Sequence, residues 1–148
     1  AIAAYQLKHA GIDVRKNIGK TGVIGNLRVP GAKKCIALRA DMDALPMQEE
    51  GSCDYKSIVH GKAHMCGHDA HTAMLIGTAK LLAKNLDKLK VNVRFVFQPC
   101  EEKFPGGATA MMADGALEGV DEIFALHMWP TLPTGVVGFC RGAAMAQP

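Results

Sequence analysis

The sequence lacks the features that mark membrane, secreted and nucleic-acid-binding proteins. No apolar run reaches the roughly 18 residues that a membrane-spanning helix needs, and the N-terminus does not have the pattern of a signal peptide. Lys and Arg form no dense block, and the net charge is only +3. We therefore expect a globular protein of 148 residues with its own core, which binds neither membranes nor nucleic acids.

Disulfide chemistry is not indicated either. The cysteines are odd in number, widely spread and without a CxxC pair: Cys35, Cys53, Cys66, Cys100 and Cys140. This distribution argues against a disulfide framework. We therefore expect a protein of the reducing cytoplasm.

Three common functional motifs are also excluded. The sequence contains no HExxH helix and no CxxCH haem-attachment site. Residues 19–21, Gly-Lys-Thr, resemble the end of a phosphate loop, but Val14 stands where that motif needs glycine.

The hydrophobic pattern alternates between strands and helices. Helices are predicted over 1–10, 70–89 and 106–113, and strands over 22–29, 35–43, 91–97, 122–127 and 135–139, with a loop at 44–65. This order predicts an α/β sandwich with helices packed on a sheet.

Groups that bind metals cluster where these predicted elements meet. They follow three strands or precede the long helix: Asp41, Asp43, Cys66, His68, Glu101, Glu102 and His127. In open α/β sheets, sites form where strands end and helices begin. We therefore expect these side chains to meet at one edge of the sheet.

Cys66 and His68 are spaced for a loop, because residues two apart do not share a helix face. Gly67 would let the backbone turn there, and Asp69 is expected to cap the helix that follows. A thiolate and an imidazole are typical zinc ligands. A buried structural cysteine beside a surface histidine is the plainer alternative.

Glu101 and Glu102 suggest a division of labour. Adjacent residues at a strand end point in different directions, so one carboxylate can bind a metal while the other acts as a general base. The alternative is a pair of solvated loop acids. His127 is ambiguous alone, because a single histidine at a strand end is often structural.

Four motifs occur in an order and spacing that resemble one known family. They are ALRADMDALP at 37–46, HMCGHDAHT at 64–72, FQPCEE at 97–102 followed by a Gly-Gly-Ala at 106–108, and ALHMWP at 125–130. The chain resembles the aminoacylase/hippurate-hydrolase branch of the dinuclear metallo-exopeptidases, the peptidase M20 family. That branch includes bacterial N-acyl-amino-acid amidohydrolases and plant auxin-conjugate hydrolases. The resemblance implies a mixed-sheet α/β/α sandwich of the zinc-exopeptidase type.

The resemblance also implies a role for six residues. Cys66 corresponds to a thiolate shared between two divalent metals, and His68, Glu102 and His127 correspond to further ligands. Glu101 corresponds to the general base, and Asp43 to the acid that orients the site. Zinc or manganese is expected, and cobalt or nickel also suit these ligands. The resemblance leaves three residues without a role: Asp41, His64 and His71.

The implied reaction is metal-dependent hydrolysis of the amide bond of N-acyl amino acids, which are small-molecule substrates. A dipeptidase or carboxypeptidase on the same fold is the enzymatic alternative. A metal-binding fragment without activity is the other, and a structural zinc site would be closed by four protein ligands.

Members of the family are more than twice as long as this chain. The resemblance implies that residues 1–140 are part of a catalytic domain and that 141–148 begin the connection to a lid domain, through which a homodimer would form. A lid histidine and a last ligand histidine would lie outside this sequence. The chain alone is therefore expected to bind fewer than two metal ions, to hydrolyse its substrates negligibly, and to leave an apolar edge exposed.

Overall fold

The computed structural model describes residues 2–139 and 141–142, which form three helices and five strands. In chain order they are α1 (Ile2–His9), β1 (Asp13–Ile18), β2 (Gly22–Leu27), β3 (Cys35–Asp41), α2 (His68–Lys84), β4 (Asn92–Gln98), α3 (Gly107–Ala113) and β5 (Glu122–Ala125). A single 3₁₀ turn, Leu86–Lys88, follows α2. The predicted α/β class is confirmed.

The strands form one mixed sheet in the order β1-β2-β4-β3-β5. β1 and β2 are antiparallel, as are β2 and β4, whereas β3 runs parallel to both β4 and β5. Asp41 pairs with Gln98 at the ends of β3 and β4. The segments that leave the three parallel strands therefore emerge at the same edge of the sheet.

The core lies on both faces of this sheet, because side chains alternate along β4. Phe95 and Phe97 are fully buried on the face covered by α1 and α2, and Val96 packs with Met111 of α3 on the other face. Burying a phenylalanine side chain contributes about 1.5–3 kcal/mol. The predicted stripe of α2 packs into the first face through Leu75 and Ala79.

Two elements differ from the sequence prediction. β1 was not predicted, because only Ile18 of its six residues is buried and the polar sequence shows no apolar face. The predicted strand at 135–139 is wrong. This segment pairs with no strand of the described residues, and Val137 and Phe139 are 79% and 88% exposed. A strand needs a hydrogen-bonded neighbour, and alternation alone does not supply one.

The start of α2 also differs from the prediction. The helix begins at His68 rather than at residue 70, and its N-cap is Gly67 in a left-handed conformation with φ 81°. Asp69 is therefore not the cap but lies in the first turn, where its charge still favours the helix dipole. The loop at 44–65 is confirmed apart from one isolated bridge between Leu45 and Ala63.

The far edge of the sheet is apolar and open. β5 is the last strand in the sheet order of the described residues, and its Ile123 and Phe124 side chains are 47% and 52% exposed. Within the described residues, no helix is long and apolar enough to cross a membrane. Residues 143–148, which make up most of the predicted connection at 141–148, lie outside the described residues, and so does Cys140.

Candidate metal centre

The structure brings the predicted ligand residues together at the carboxyl edge of the parallel strands. Ligand atoms of Cys66, His68 and His127 lie within 4.8 Å of one another, and so do those of His68, Glu101 and Glu102. His68 belongs to both groups. The three segments that carry these residues thus converge on one histidine.

His68 is fixed with one ring nitrogen presented to this cluster. Its Nδ1 lies 3.0 Å from the backbone oxygen and 3.2 Å from Oδ1 of Asp43, so Nδ1 carries the proton and donates it. Nε2 therefore carries a lone pair. This nitrogen is fully buried and has no hydrogen-bond partner among the described residues.

The surroundings of this lone pair suit a cation. Nε2 of His68 lies 3.7 Å from a carboxylate oxygen of Glu102 and 3.8 Å from one of Glu101. Oδ2 of Asp41 lies 3.7 Å from the same nitrogen. With the ring proton on Nδ1, these electron-rich atoms face one another without a hydrogen between them, which is unfavourable in a desolvated site. A divalent cation between them would turn the repulsion into ligation, and the residues present fit such an ion.

His127 presents its ring in the same way. Its Nδ1 donates to the backbone oxygen of Met128 at 2.7 Å, and its Nε2 lies 3.5 Å from Sγ of Cys66. A ring nitrogen bonded to a carbonyl leaves the other free for a metal. His127 lies two residues beyond the end of β5, not at the end of the strand as predicted.

Cys66 sits in a strongly negative environment. Burial raises the pKa of its thiol to about 11, together with a hydrogen bond to Glu102 and the charges of Glu102, Glu101 and Asp41. At neutral pH the thiol therefore keeps its proton unless a bound cation stabilises the thiolate.

Asp43 holds the turn that carries the two glutamates. Its Oδ2 accepts a 3.1 Å hydrogen bond from the backbone N–H of Glu102. Burial raises the pKa of Asp43, but backbone N–H donors at Glu102 and Glu101 outweigh it and hold that pKa below its usual value. The turn begins at Cys100, a non-glycine residue with φ 51°. The Glu101 side chain is 41% exposed and that of Glu102 is 27% exposed.

Sequence reasoning left Asp41 and His71 without a role, and the structure places both beside the cluster. Asp41 is 1% exposed, accepts a hydrogen bond from Nδ1 of His71 at 2.6 Å, and forms an ion pair with Nη1 of Arg39 at 2.9 Å. Arg39 and Asp41 lie two positions apart on one face of β3, and this spacing could have revealed their ion pair from the sequence. His64 is exposed and belongs to none of the ligand groups of the described residues.

A cavity of about 650 Å³ lies next to the cluster. Asp43 and Glu102 line it together with apolar side chains, among them Met42, Pro46 and Pro99. A volume of this order suits a small molecule. Lys103 and Thr21 also line it, so the cavity offers charged groups of both signs beside apolar side chains.

Known proteins are similar to this chain in sequence. The chain is 44% identical over 149 aligned residues to thermostable carboxypeptidase 2 of Saccharolobus solfataricus, which covers 99% of the chain. It is 45% identical over 129 residues to an N-acyl-L-amino acid amidohydrolase of Geobacillus stearothermophilus, covering 87% of the chain. The chain spans only 38% and 35% of the lengths of these two relatives.

A solved structure agrees with the fold. A Bacillus subtilis protein described as a dinuclear metal-binding peptidase of the M20 family superposes with a TM-score of 0.89 at 42% identity. The match covers 95% of this chain and 40% of that one. The model of peptidase family M20/M25/M40 matches residues 37–142, which contain every residue of the cluster. The chain therefore belongs to peptidase family M20/M25/M40.

Proposed function

We propose that this chain contributes the metal centre of an amidohydrolase that cleaves N-acyl amino acids with two divalent cations. The buried Nε2 of His68 carries the proposal, because it faces three carboxylates and has no hydrogen-bond partner among the described residues. The Geobacillus relative is named an N-acyl-L-amino acid amidohydrolase, and the Bacillus neighbour is described as dinuclear. Residues 1–140 would form part of the catalytic domain.

The proposed protein ligands are Cys66, His68, Glu102 and His127. Glu102 is favoured over Glu101 as a ligand because its carboxylate contacts both Cys66 and His68, whereas Glu101 is the more exposed of the two. Zinc or manganese suits this mixture of sulfur, nitrogen and oxygen donors.

Glu101 is the proposed general base. When bound, divalent cations polarise a carbonyl and lower the pKa of a water molecule. Glu101 takes one proton from the attacking water as the new carbon–oxygen bond forms. It then gives that proton to the leaving nitrogen as the carbon–nitrogen bond breaks, so the products are a carboxylic acid and an amino acid. Asp43 holds His68 and the glutamate turn in place throughout.

The proposed setting is the cytoplasm. The four cysteines that the structure describes are free thiols, which suits a reducing compartment. The low positive charge and the small cavity favour a small-molecule substrate over nucleic acid.

A carboxypeptidase or dipeptidase is the second candidate, because two Saccharolobus relatives at 44% and 43% identity are named thermostable carboxypeptidases. The test uses the protein expressed from the complete reading frame that contains these residues, stripped of metal and reloaded with zinc or manganese. We expect metal-dependent hydrolysis of N-acetyl and N-benzoyl amino acids. Faster turnover of dipeptides or of longer peptides with free C-termini would favour the second candidate. No metal-dependent hydrolysis of any of these compounds would overturn both.

A further inference from the structure

A third group of metal-type residues overlaps the proposed centre. Asp41, His68 and His71 are all buried, and their ligand atoms lie within 4.8 Å of one another. On distance alone, His71 is as good a candidate ligand as His68. The hydrogen bonds separate the two histidines.

Both ring nitrogens of His71 are already bonded. Nδ1 lies 2.6 Å from Oδ1 of Asp41, and Nε2 accepts the backbone N–H of Met128 at 2.8 Å. Nε2 must therefore be unprotonated, and Nδ1 must carry the proton that Asp41 accepts. The ring is 3% exposed, so water cannot replace either partner cheaply. His71 has no lone pair left for a metal, in contrast to His68.

The hydrogen bond from the Met128 N–H to His71 also affects the position of the His127 ring. The peptide N–H of Met128 follows His127 in the chain, and the carbonyl of Met128 accepts the Nδ1 proton of His127 at 2.7 Å. One backbone residue is thus held by His71 on one side and holds the His127 ring on the other. A Cβ added at Gly67 would lie 3.0 Å from Cβ of Met128, so the segment also sits closely against the start of α2.

We propose that Asp41 and His71 are positioning residues for His127. This proposal rests on the metal centre proposed above. Arg39 and burial fix Asp41, Asp41 orients the His71 ring, and Nε2 of His71 fixes the backbone at Met128. This chain of bonds sets Nε2 of His127 against Sγ of Cys66. Without it, the exposed segment after β5 would present His127 over a range of positions.

The test compares two replacements of His71 in the protein from the complete reading frame. In His71→Asn the amide nitrogen can still donate to Asp41, but the side chain is too short to reach Met128. In His71→Gln the amide oxygen can reach the position of Nε2 and accept the Met128 N–H. Thr72→Val is the matched control, because it removes a 3.1 Å bond to the backbone oxygen of Asp41 from the same turn of α2.

The measurement is cobalt(II) binding, followed by the thiolate-to-cobalt and ligand-field absorption bands and by competition with a chelator. We expect His71→Asn to weaken cobalt binding about 10- to 100-fold and to change the ligand-field spectrum. His71→Gln should restore most of the affinity, and Thr72→Val should leave affinity and spectrum unchanged. Equal affinity and spectra for His71→Asn and wild type would overturn the proposal, as would a loss in His71→Asn that His71→Gln does not restore.

Ring-nitrogen NMR of the wild-type protein provides a test that does not depend on how the variants fold. On addition of zinc, Nε2 of His68 and Nε2 of His127 should shift, while His71 stays neutral with its proton on Nδ1. A direct zinc shift at a His71 nitrogen would make it a ligand and overturn the positioning role. A wild-type protein that binds neither cobalt nor zinc would instead overturn the proposed metal centre itself.

Discussion

The backbone N–H of Glu102 donates to Oδ2 of Asp43 at 3.1 Å, and the other carboxylate oxygen of Asp43 lies 3.2 Å from Nδ1 of His68. One side chain after β3 thus fixes both the turn after β4 and the first residue of α2. The positions of Glu102 and His68 relative to each other depend on this carboxylate.

Replacing Asp43 by Ala is therefore expected to loosen the metal centre. The change removes an acceptor for Glu102 and one for His68, and losing partners of this kind costs about 10- to 100-fold in metal affinity. Zinc affinity by chelator competition is the measurement. Asp54→Ala in the exposed part of the 44–65 loop is the control and should bind zinc as the wild type does. Unchanged zinc affinity in Asp43→Ala would contradict the role given to Asp43.

Replacement by Gln should have different effects on metal binding and turnover at Glu101 and at Glu102. Glu101→Gln is expected to keep its metal and lose turnover by about 10²- to 10⁴-fold, because a general base is removed. Glu102→Gln, in contrast, is expected to lose its metal. Elemental analysis after dialysis, together with turnover of an N-acyl amino acid, separates the two. If Glu101→Gln lost metal while Glu102→Gln retained it, the two roles would be exchanged.

Metal uptake should release a proton from Cys66. The pKa of this thiol is raised to about 11, first by burial and then by neighbouring carboxylates, so the metal-free site holds a thiol at neutral pH. Binding should displace about one proton from it, and apparent affinity should rise with pH below that pKa. Calorimetry in buffers of different ionisation enthalpy counts the protons. Cys35→Ser should leave the count unchanged, and a count that Cys66→Ser also leaves unchanged would contradict the prediction.

Asp41 should contribute stability that disappears in acid. Burial raises its pKa, but the bond from His71 and the charge of Arg39 outweigh burial and hold that pKa below its usual value. The contribution is complete above the ordinary carboxyl pKa of about 3.9, and is lost as pH falls through the lowered value. At pH 7, Asp41→Asn is expected to lower the free energy of unfolding by about 1–3 kcal/mol.

Urea unfolding between pH 3 and 7 measures this difference. The gap between wild type and Asp41→Asn should narrow toward the acid end, and the exposed control Asp87→Asn should show almost no gap at any pH. A gap for Asp41→Asn that stays constant with pH would contradict the prediction.

Gly67→Ala should cost more than the left-handed conformation alone explains. Gly67 and Gly31 have φ of 81° and 78°, but a Cβ at Gly67 meets Cβ of Met128 at 3.0 Å, whereas one at Gly31 meets no described atom within 4 Å. Gly31→Ala is expected to cost about 1 kcal/mol, and Gly67→Ala about 2–4 kcal/mol because a contact is added to the strain. Thermal unfolding of both variants is the comparison, and equal losses would show that the Met128 contact is unimportant.

Much of the fold was predictable because local pattern and topology agreed. The apolar face predicted for β3 and the stripe of α2 both pack into one core cluster, although β3 and β4 are also buried on their other face. The meeting of Cys66, His68, Glu101, Glu102 and His127 followed from one rule, that parallel strands end at the same edge.

The remaining features depend on partners that the local apolar pattern does not reveal. The polar strand β1 exists because β2 pairs with it, and the apolar segment at 135–139 stays unpaired within the described residues. The role proposed for His71 depends on its bond from the N–H of Met128, which is 57 positions away. No local pattern distinguishes a histidine whose nitrogens are both bonded from one with a free lone pair.

Cys66 and His127 are 61 positions apart in the chain, yet Sγ and Nε2 lie 3.5 Å apart. A cation held by both would act as a reversible cross-link. By the relation used for disulfides, closing a loop of this length removes unfolded-chain entropy worth about 4 kcal/mol at 25 °C. When a chelator removes the cation, the exposed chain after β5 would be the first part to become flexible. Loss of the cation and proteolytic cleavage within 126–139 would then be one coupled event.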